Sequence, residues 1–230
     1  MLAGLVRWPV FSFTSYRIVS RLRKQGIAIG TLIDVGANIG QFAVSCAKLY
    51  PGVEIFSYEP HPAVFSRLAR LADSLPGFTA YNCALGDCPG VAELTINTHS
   101  HSSSLLRLND RHKQAFPDAR EAATVQVKVN TLDDEFRGRR LKGPVLLKLD
   151  VQGYEARVLT GARELLSQVD WLILEASFRP LYEGEVVFTE LFDLLRSWAF
   201  ELVCPIGMLE DPFTEEILQM DVLFRPRQRT

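Results

Sequence analysis

The chain has 230 residues, 47% of them hydrophobic and 23% charged, with a formal net charge of −2. That length and apolar content suit one large domain with a full core, and the balanced charge gives no general attraction to nucleic acid. No run approaches the ~20 apolar residues that span a bilayer, and the four scattered cysteines (Cys46, Cys83, Cys88, Cys204) lack C-x-x-C pairing, which reads as reduced thiols in a cytoplasmic protein rather than zinc.

Residues 1–30 read as an N-terminal helical extension. The opening apolar run, residues 1–6, is cut by Arg7 and Pro9 and lacks a basic n-region, so it is too short for a signal peptide or anchor. Thr14 or Ser15 is placed to cap a helix with Tyr16, Ile18, Val19 and Leu22 on one face and Gly26 at its end. Arg7, Arg17, Arg21, Arg23 and Lys24 all precede the first acidic residue, Asp34. They fit a helix packed over a sheet with its arginines in solvent; the competing reading is a basic surface in weak peripheral contact with anionic lipid.

Residues 31–230 read as a single α/β domain. Leu32-Ile33-Asp34-Val35-Gly36-Ala37-Asn38-Ile39-Gly40 runs from β-favouring residues through an acid into a glycine-rich turn. Residues 41–50 then read as a helix stopped by Pro51. A strand, a glycine turn and a helix N-terminus in that order form the place where an α/β sheet takes a nucleotide-like ligand. A dinucleotide fingerprint G-x-G-x-x-G from Gly36 needs glycine where Asn38 and Gln41 stand. The G-x-G-x-G form fits at Gly36 and Gly40, with Asn38 in the middle, and with Asp34 just ahead it has the form of a loop for S-adenosylmethionine (SAM). Residues 54–59 form a second strand ending in Glu59, near the spacing at which an acid meets ribose hydroxyls.

His61-Pro62 opens the next helix, residues 78–85 read as a third strand, and three β-α units imply a parallel sheet. The alternation then breaks. Residues 91–97 and 125–129 alternate as a hairpin does, separated by a long polar stretch, 98–124, expected to be a lid over the site. His99 and His101 would share a face there if extended, but two histidines make no metal site, and none is read. Strands resume at 145–150, 171–175, 200–205 and 220–224, with helices after Gly153 and around Leu191 to Trp198. Asp34, Glu59, Asp150 and Glu175 all stand at the carboxyl ends of strands, so they should border one crevice. Any one of them could instead cap a neighbouring helix.

With these residues in place the chain resembles the FkbM family of SAM-dependent O-methyltransferases. The matching residues are Asp34 to Gly40, Tyr58-Glu59-Pro60-His61-Pro62, Asn82-Cys83-Ala84-Leu85-Gly86-Asp87, Ser103-Ser104-Leu105, Thr131-Leu132-Asp133-Asp134, Leu147-Lys148-Leu149-Asp150-Val151-Gln152-Gly153-Tyr154-Glu155 and Ile173-Leu174-Glu175. The resemblance implies a Rossmann-like, doubly wound, mostly parallel seven-stranded sheet of class I methyltransferase type, with an inserted β-hairpin. It also implies that Asp34, Gly36, Ala37, Asn38 and Gly40 cradle the methionyl part of SAM and that Glu59 holds the ribose. Pro60 and Ala84 would flank the adenine, Asp87 would meet its amino group, and Ser104 belongs to the same cofactor set. Asp150 would sit near the sulfonium and the acceptor, a hydroxyl of a sugar, glycolipid or secondary metabolite. One departure stands out: the family has Glu where this chain has Gln152.

Asp150, Glu175 and His101 are the candidates for the base that takes the acceptor proton, Asp150 by position and His101 by its intrinsic pKa. Three rivals share parts of this pattern. An NAD-dependent oxidoreductase lacks its second glycine at Asn38. An RNA 2′-O-methyltransferase, suggested by Lys148, Asp150 and Glu175, lacks a basic-aromatic surface. A catalytically inactive SAM-binding scaffold has Gln152 in its favour.

Overall fold

The computed structural model describes residues 10–97, 103–109, 121–211 and 213–227. α1 (Phe13–Lys24) is capped by Ser12, whose Oγ accepts from Ser15 N at 3.3 Å. The cap is thus Ser12 and not Thr14 or Ser15: Ser12 is the last residue with extended backbone, the conformation an N-cap requires. β1 (Thr31–Val35) is buried throughout, because it lies between β2 (Glu54–Tyr58) and β7 (Val145–Leu149) and is parallel to both. A strand covered on both faces reads as a continuous apolar run, as TLIDV and VLLKL nearly do.

The main sheet has seven strands in the order β3-β2-β1-β7-β8-β10-β9, the Rossmann-like arrangement expected from the sequence. β3 (Phe78–Tyr81) is one edge, and β8 (Trp171–Ser177) follows β7. β9 (Phe200–Glu210) and β10 (Ile217–Pro226) form an antiparallel end and extend well past the expected 200–205 and 220–224. Leu32, Leu146, Ile173 and Leu223 face one side and pack with α1, α2 (Gln41–Leu49) and α3 (Pro62–Asp73). Ile33, Leu147, Leu174 and Val222 face the other side, with Val158 and Leu191 from the helices there. Each such side chain, fully withdrawn from water, contributes about 1.5–3 kcal/mol. α1 packs against α2 and β9 within the first of these layers.

The expected single strand over 78–85 is two. β3 ends at Tyr81, and β4 (Ala84–Leu85) pairs with β6 (Glu121–Asn130) instead. Asn82 makes the break, since its Nδ2 donates to the carbonyls of Glu59 (2.8 Å) and Pro60 (3.1 Å) and ties the chain to the sheet rim. The expected hairpin is therefore a three-stranded sheet, β4-β6-β5, with β5 (Gly90–Asn97) antiparallel to β6. β6 also takes in residues 121–124, which the expected lid had included. Of the rest of that lid, Ser104 exchanges backbone hydrogen bonds with Thr95 (2.9 and 3.2 Å), and Leu108 bridges to Tyr182. After β6, Thr131 caps α4 (Leu132–Glu135), and α5 (Glu155–Thr160) and α6 (Phe188–Ser197) complete the second layer. Among the described residues no helix is long and apolar enough to cross a membrane.

Candidate functional site

Register decides what meets at the carboxyl rim. Val35 lies level with Tyr58 and Leu149, and Leu149 with Leu174. The residues that follow are Gly36, Glu59, Asp150 and Glu175. Glu175 is in turn paired with Asp221, and Asp221 with Gly207. Five strands thus bring Glu59, Gly36, Asp150, Glu175 and Asp221 into one row. A Cβ at Gly207 would stand 2.2 Å from Asp221 Oδ2, so the glycine is what leaves room for that carboxylate.

The turn after β1 is held by its backbone. Gly36 has φ +78°, and a Cβ there would lie 1.8 Å from the carbonyl oxygen of Asp150, which only glycine permits. Asn38 also adopts a left-handed φ of +49°, a conformation asparagine tolerates better than most residues. Its backbone N donates to Glu59 Oε2 at 2.9 Å, while His61 N donates to Oε1 at 2.8 Å. Burial raises the Glu59 carboxyl to about 7 in spite of those two donors, with Asp150 and Asp34 adding to the rise.

Two grooves meet at this row. The first, about 650 Å³, has Glu59, Asn38 and Asp150 as polar groups and Pro60, Ala84, Leu85, Leu94 and Leu105 among its apolar walls, with Ser104 and Gln152 also lining it. The second, about 660 Å³, lies under α1 and is lined by Ser12, Thr14 and Ser15 above and by Lys148, Asp150, Glu175 and Asp221 below. Gly36, Asn38 and Asp150 border both grooves, and Ala37 borders the second.

Gly36, Ala37, Asn38, Glu59, Pro60, Ala84, Ser104, Asp150 and Glu175 therefore all line one groove or the other. Three sequence candidates do not, and a fourth lies outside the described residues. Asp34 is fully buried beneath the turn, with Lys148 Nζ 3.6 Å from Oδ1 and, among the described residues, no hydrogen-bond donor on either oxygen. Asp87 points to Arg157 at 2.9 Å, Gly40 packs against Leu71 of α3, and His101 lies outside the described residues. Burial raises the Asp34 carboxyl above the usual carboxylate range, against the pull of Lys148.

Sequence reasoning gave no structural role to several residues that shape the rim. Lys148 is buried, with Nζ 3.1 Å from Asp150 Oδ2 and 5.3 Å from the Phe42 ring centroid. Burial works against its charge, but Asp150, Asp34 and Asp221 together raise its pKa. Gln152, at φ +57°, donates from Nε2 to Asp150 Oδ1 (2.9 Å) and Glu175 Oε2 (2.8 Å), and its Oε1 accepts from the Tyr182 hydroxyl at 2.5 Å. Burial lifts Glu175 far above the carboxylate range, Asp221 to about 6 and Glu155 to about 8. A lone acid inside the apolar run of β10 was the one legible signal for Asp221. Nothing in the sequence pointed to Tyr182.

The first groove suits a nucleoside. Each Glu59 oxygen spends one lone pair on a backbone N–H and has another to offer two vicinal hydroxyls, beside apolar walls that fit a flat ring. The family model Methyltransferase FkbM domain matches residues 34–202 of the chain. The 2-O-methyltransferase NoeI of Sinorhizobium fredii is 29% identical over 205 residues, covering 86% of this chain and 82% of that protein. The 31-O-demethyl-FK506 methyltransferase FkbM of Streptomyces tacrolimicus is 28% identical over 195 residues, covering 75% and 73%. Among solved structures, the 1,6-didemethyltoxoflavin-N1-methyltransferase of Burkholderia thailandensis shares the fold at 11% identity. Its TM-score is 0.51, over 94% of this chain and 79% of that one.

Proposed function

The chain belongs to the FkbM family of SAM-dependent methyltransferases, and on that premise we propose that it methylates a hydroxyl of a sugar, glycolipid or other secondary metabolite. The observation that carries this reading is the pair of grooves meeting at Asp150, one suited to a nucleoside and the other lined with hydroxyls and carboxylates. The names of the relatives agree with an oxygen acceptor: one is a 2-O-methyltransferase, and another acts on a 31-O-demethyl compound.

In this reading Glu59 holds the ribose, the backbone of Gly36, Ala37 and Asn38 carries the methionyl part, and Pro60, Ala84 and Ser104 border the adenine. SAM supplies an electrophilic methyl group on sulfur and a thioether leaving group. Displacement at a methyl group needs alignment above all, so the rigid turn between the grooves provides much of the rate. Asp150 Oδ2 rests on Lys148 at 3.1 Å, and this carboxylate at the junction of the grooves is the group placed to take the acceptor proton. Glu175 is buried with a raised pKa, so its part is to hold the floor rather than to act as the base. His101 remains the alternative base. Residues 31–230 make up the catalytic unit in this reading, and residues 1–30 are an extension whose helix α1 lies over the second groove. Arg17, Arg21, Arg23 and Lys24 are exposed on that extension and fit weak contact with an anionic surface. All four cysteines are free, in keeping with work in the cytoplasm.

The test is mass spectrometry after incubation with methyl-labelled SAM, a panel of methyl glycosides and a host metabolite extract. A labelled methyl ether is the expected product. Label found only on nitrogen or carbon, or on nothing while S-adenosylhomocysteine binds tightly, overturns the reading.

A further inference from the structure

The Gln152 side chain sits where two acidic groups converge. Its Nε2 is 2.9 Å from Asp150 Oδ1 and 2.8 Å from Glu175 Oε2, so one amide group supplies a hydrogen to each carboxylate. The orientation is set from the far end, because Oε1 accepts from the Tyr182 hydroxyl, and a flipped amide would turn its oxygen onto two acids. The backbone is pinned as well: Gln152 has φ +57°, and its carbonyl accepts from Ser104 Oγ at 2.7 Å. Lys148, the nearby cation, is already placed on Asp150 Oδ2 and Asp34 Oδ1.

We infer that Gln152 is a positioning residue whose amide stands in for a bound cation, an uncharged bridge that keeps Asp150 and Glu175 side by side at the junction of the two grooves. Two carboxyl groups this close repel whenever both ionise, unless a metal ion or a fixed donor holds them together. Here the donor is covalently part of the chain, so the arrangement forms without a divalent ion. The same geometry gives an acid at this position the opposite effect. A carboxylate at 152 would bring three acidic side chains together and create an oxygen-lined site for a divalent cation. Among the described residues no three acidic, histidine or cysteine side chains now converge to hold a metal. The catalytic meaning of the bridge rests on the reading that Asp150 faces the acceptor. The bridge itself does not, so its test needs no acceptor.

The 230-residue chain and the variants Gln152→Glu and Gln152→Glu/Glu175→Gln are titrated with Mn²⁺, followed by electron paramagnetic resonance and by thermal unfolding. Gln152→Glu should bind Mn²⁺ about tenfold or more tighter than the parent protein and melt higher when Mn²⁺ is present. The double variant moves the amide to the other side of the bridge. It should lose that Mn²⁺ affinity and return to the melting temperature of the parent. If Gln152→Glu fails to fold without metal, the double variant should still fold. Equal Mn²⁺ affinity in all three proteins, or a double variant no more stable than the single one in the absence of metal, overturns the inference. A loss of turnover in Asp150→Asn speaks only to the acceptor reading and leaves this outcome untouched.

Discussion

Replacing Glu59 with glutamine tests whether the rim holds a ribose, because the carboxylate faces opposing demands. Burial raises it from 4.5 to about 7, while Asn38 N and His61 N each donate to one of its oxygens. Hydroxyl groups prefer the ionised acceptor, so bound ligand should pull that pKa back down. If only the ionised form holds the diol, about one-tenth of the free protein is competent at pH 6 and about nine-tenths at pH 8. Affinity for S-adenosylhomocysteine should therefore improve roughly tenfold over that range and level off above it. In Glu59→Gln the amide nitrogen must face one of the two backbone N–H groups, which strands that donor at a cost of about 1–3 kcal/mol. That cost falls on free and bound protein alike; the complex loses the charge-assisted bonds to the hydroxyls, worth about 1.5–3 kcal/mol, so Kd should rise about tenfold to a hundredfold. Isothermal calorimetry at several pH values measures both effects. His61, whose pKa is lowered by burial, is the nearby group that could mimic the slope, and it remains in the variant. A wild-type Kd flat from pH 6 to 8, or an undiminished slope in Glu59→Gln, would refute the reasoning.

Three further outcomes follow from the same geometry. Asp150→Asn should lower turnover with the labelled methyl donor about a hundredfold or more, while calorimetry shows cofactor affinity within about threefold of wild type; equal losses would make it a binding residue. Gly36→Ala puts a Cβ into the Asp150 carbonyl at a left-handed φ and should cost about 3 kcal/mol or more in urea unfolding, a figure that near-wild-type stability would contradict. Glu155 has its folded pKa raised from 4.5 to about 8, so its contribution to stability is full below pH 4.5 and is lost as pH rises through 8. Glu155→Gln should flatten the fall in melting temperature over that window, and an unchanged slope would show that the acid is not the source.

The sheet and half of the rim were legible in the chain because both follow from local chemistry. Apolar strands ending in Asp34, Glu59, Asp150 and Glu175, with a glycine turn after the first, announce a parallel sheet and its binding edge. Spacing could not say which of those acids would reach the groove. Asp34 is the penultimate residue of β1 and is swallowed by the packing, whereas Asp150 follows the last residue of its strand and lines both grooves.

Residue order by itself determined the doubly wound sheet and the glycine turn, since each depends on neighbours a few positions apart. Tertiary structure alone decided the floor of the site. Gln152, Tyr182, Glu175 and Asp221 come from different segments, and Gly207 makes room for Asp221 from across the last strand pair. Their hydrogen bonds and raised pKa values exist only where separate strands close out water together, which no single stretch of sequence can do.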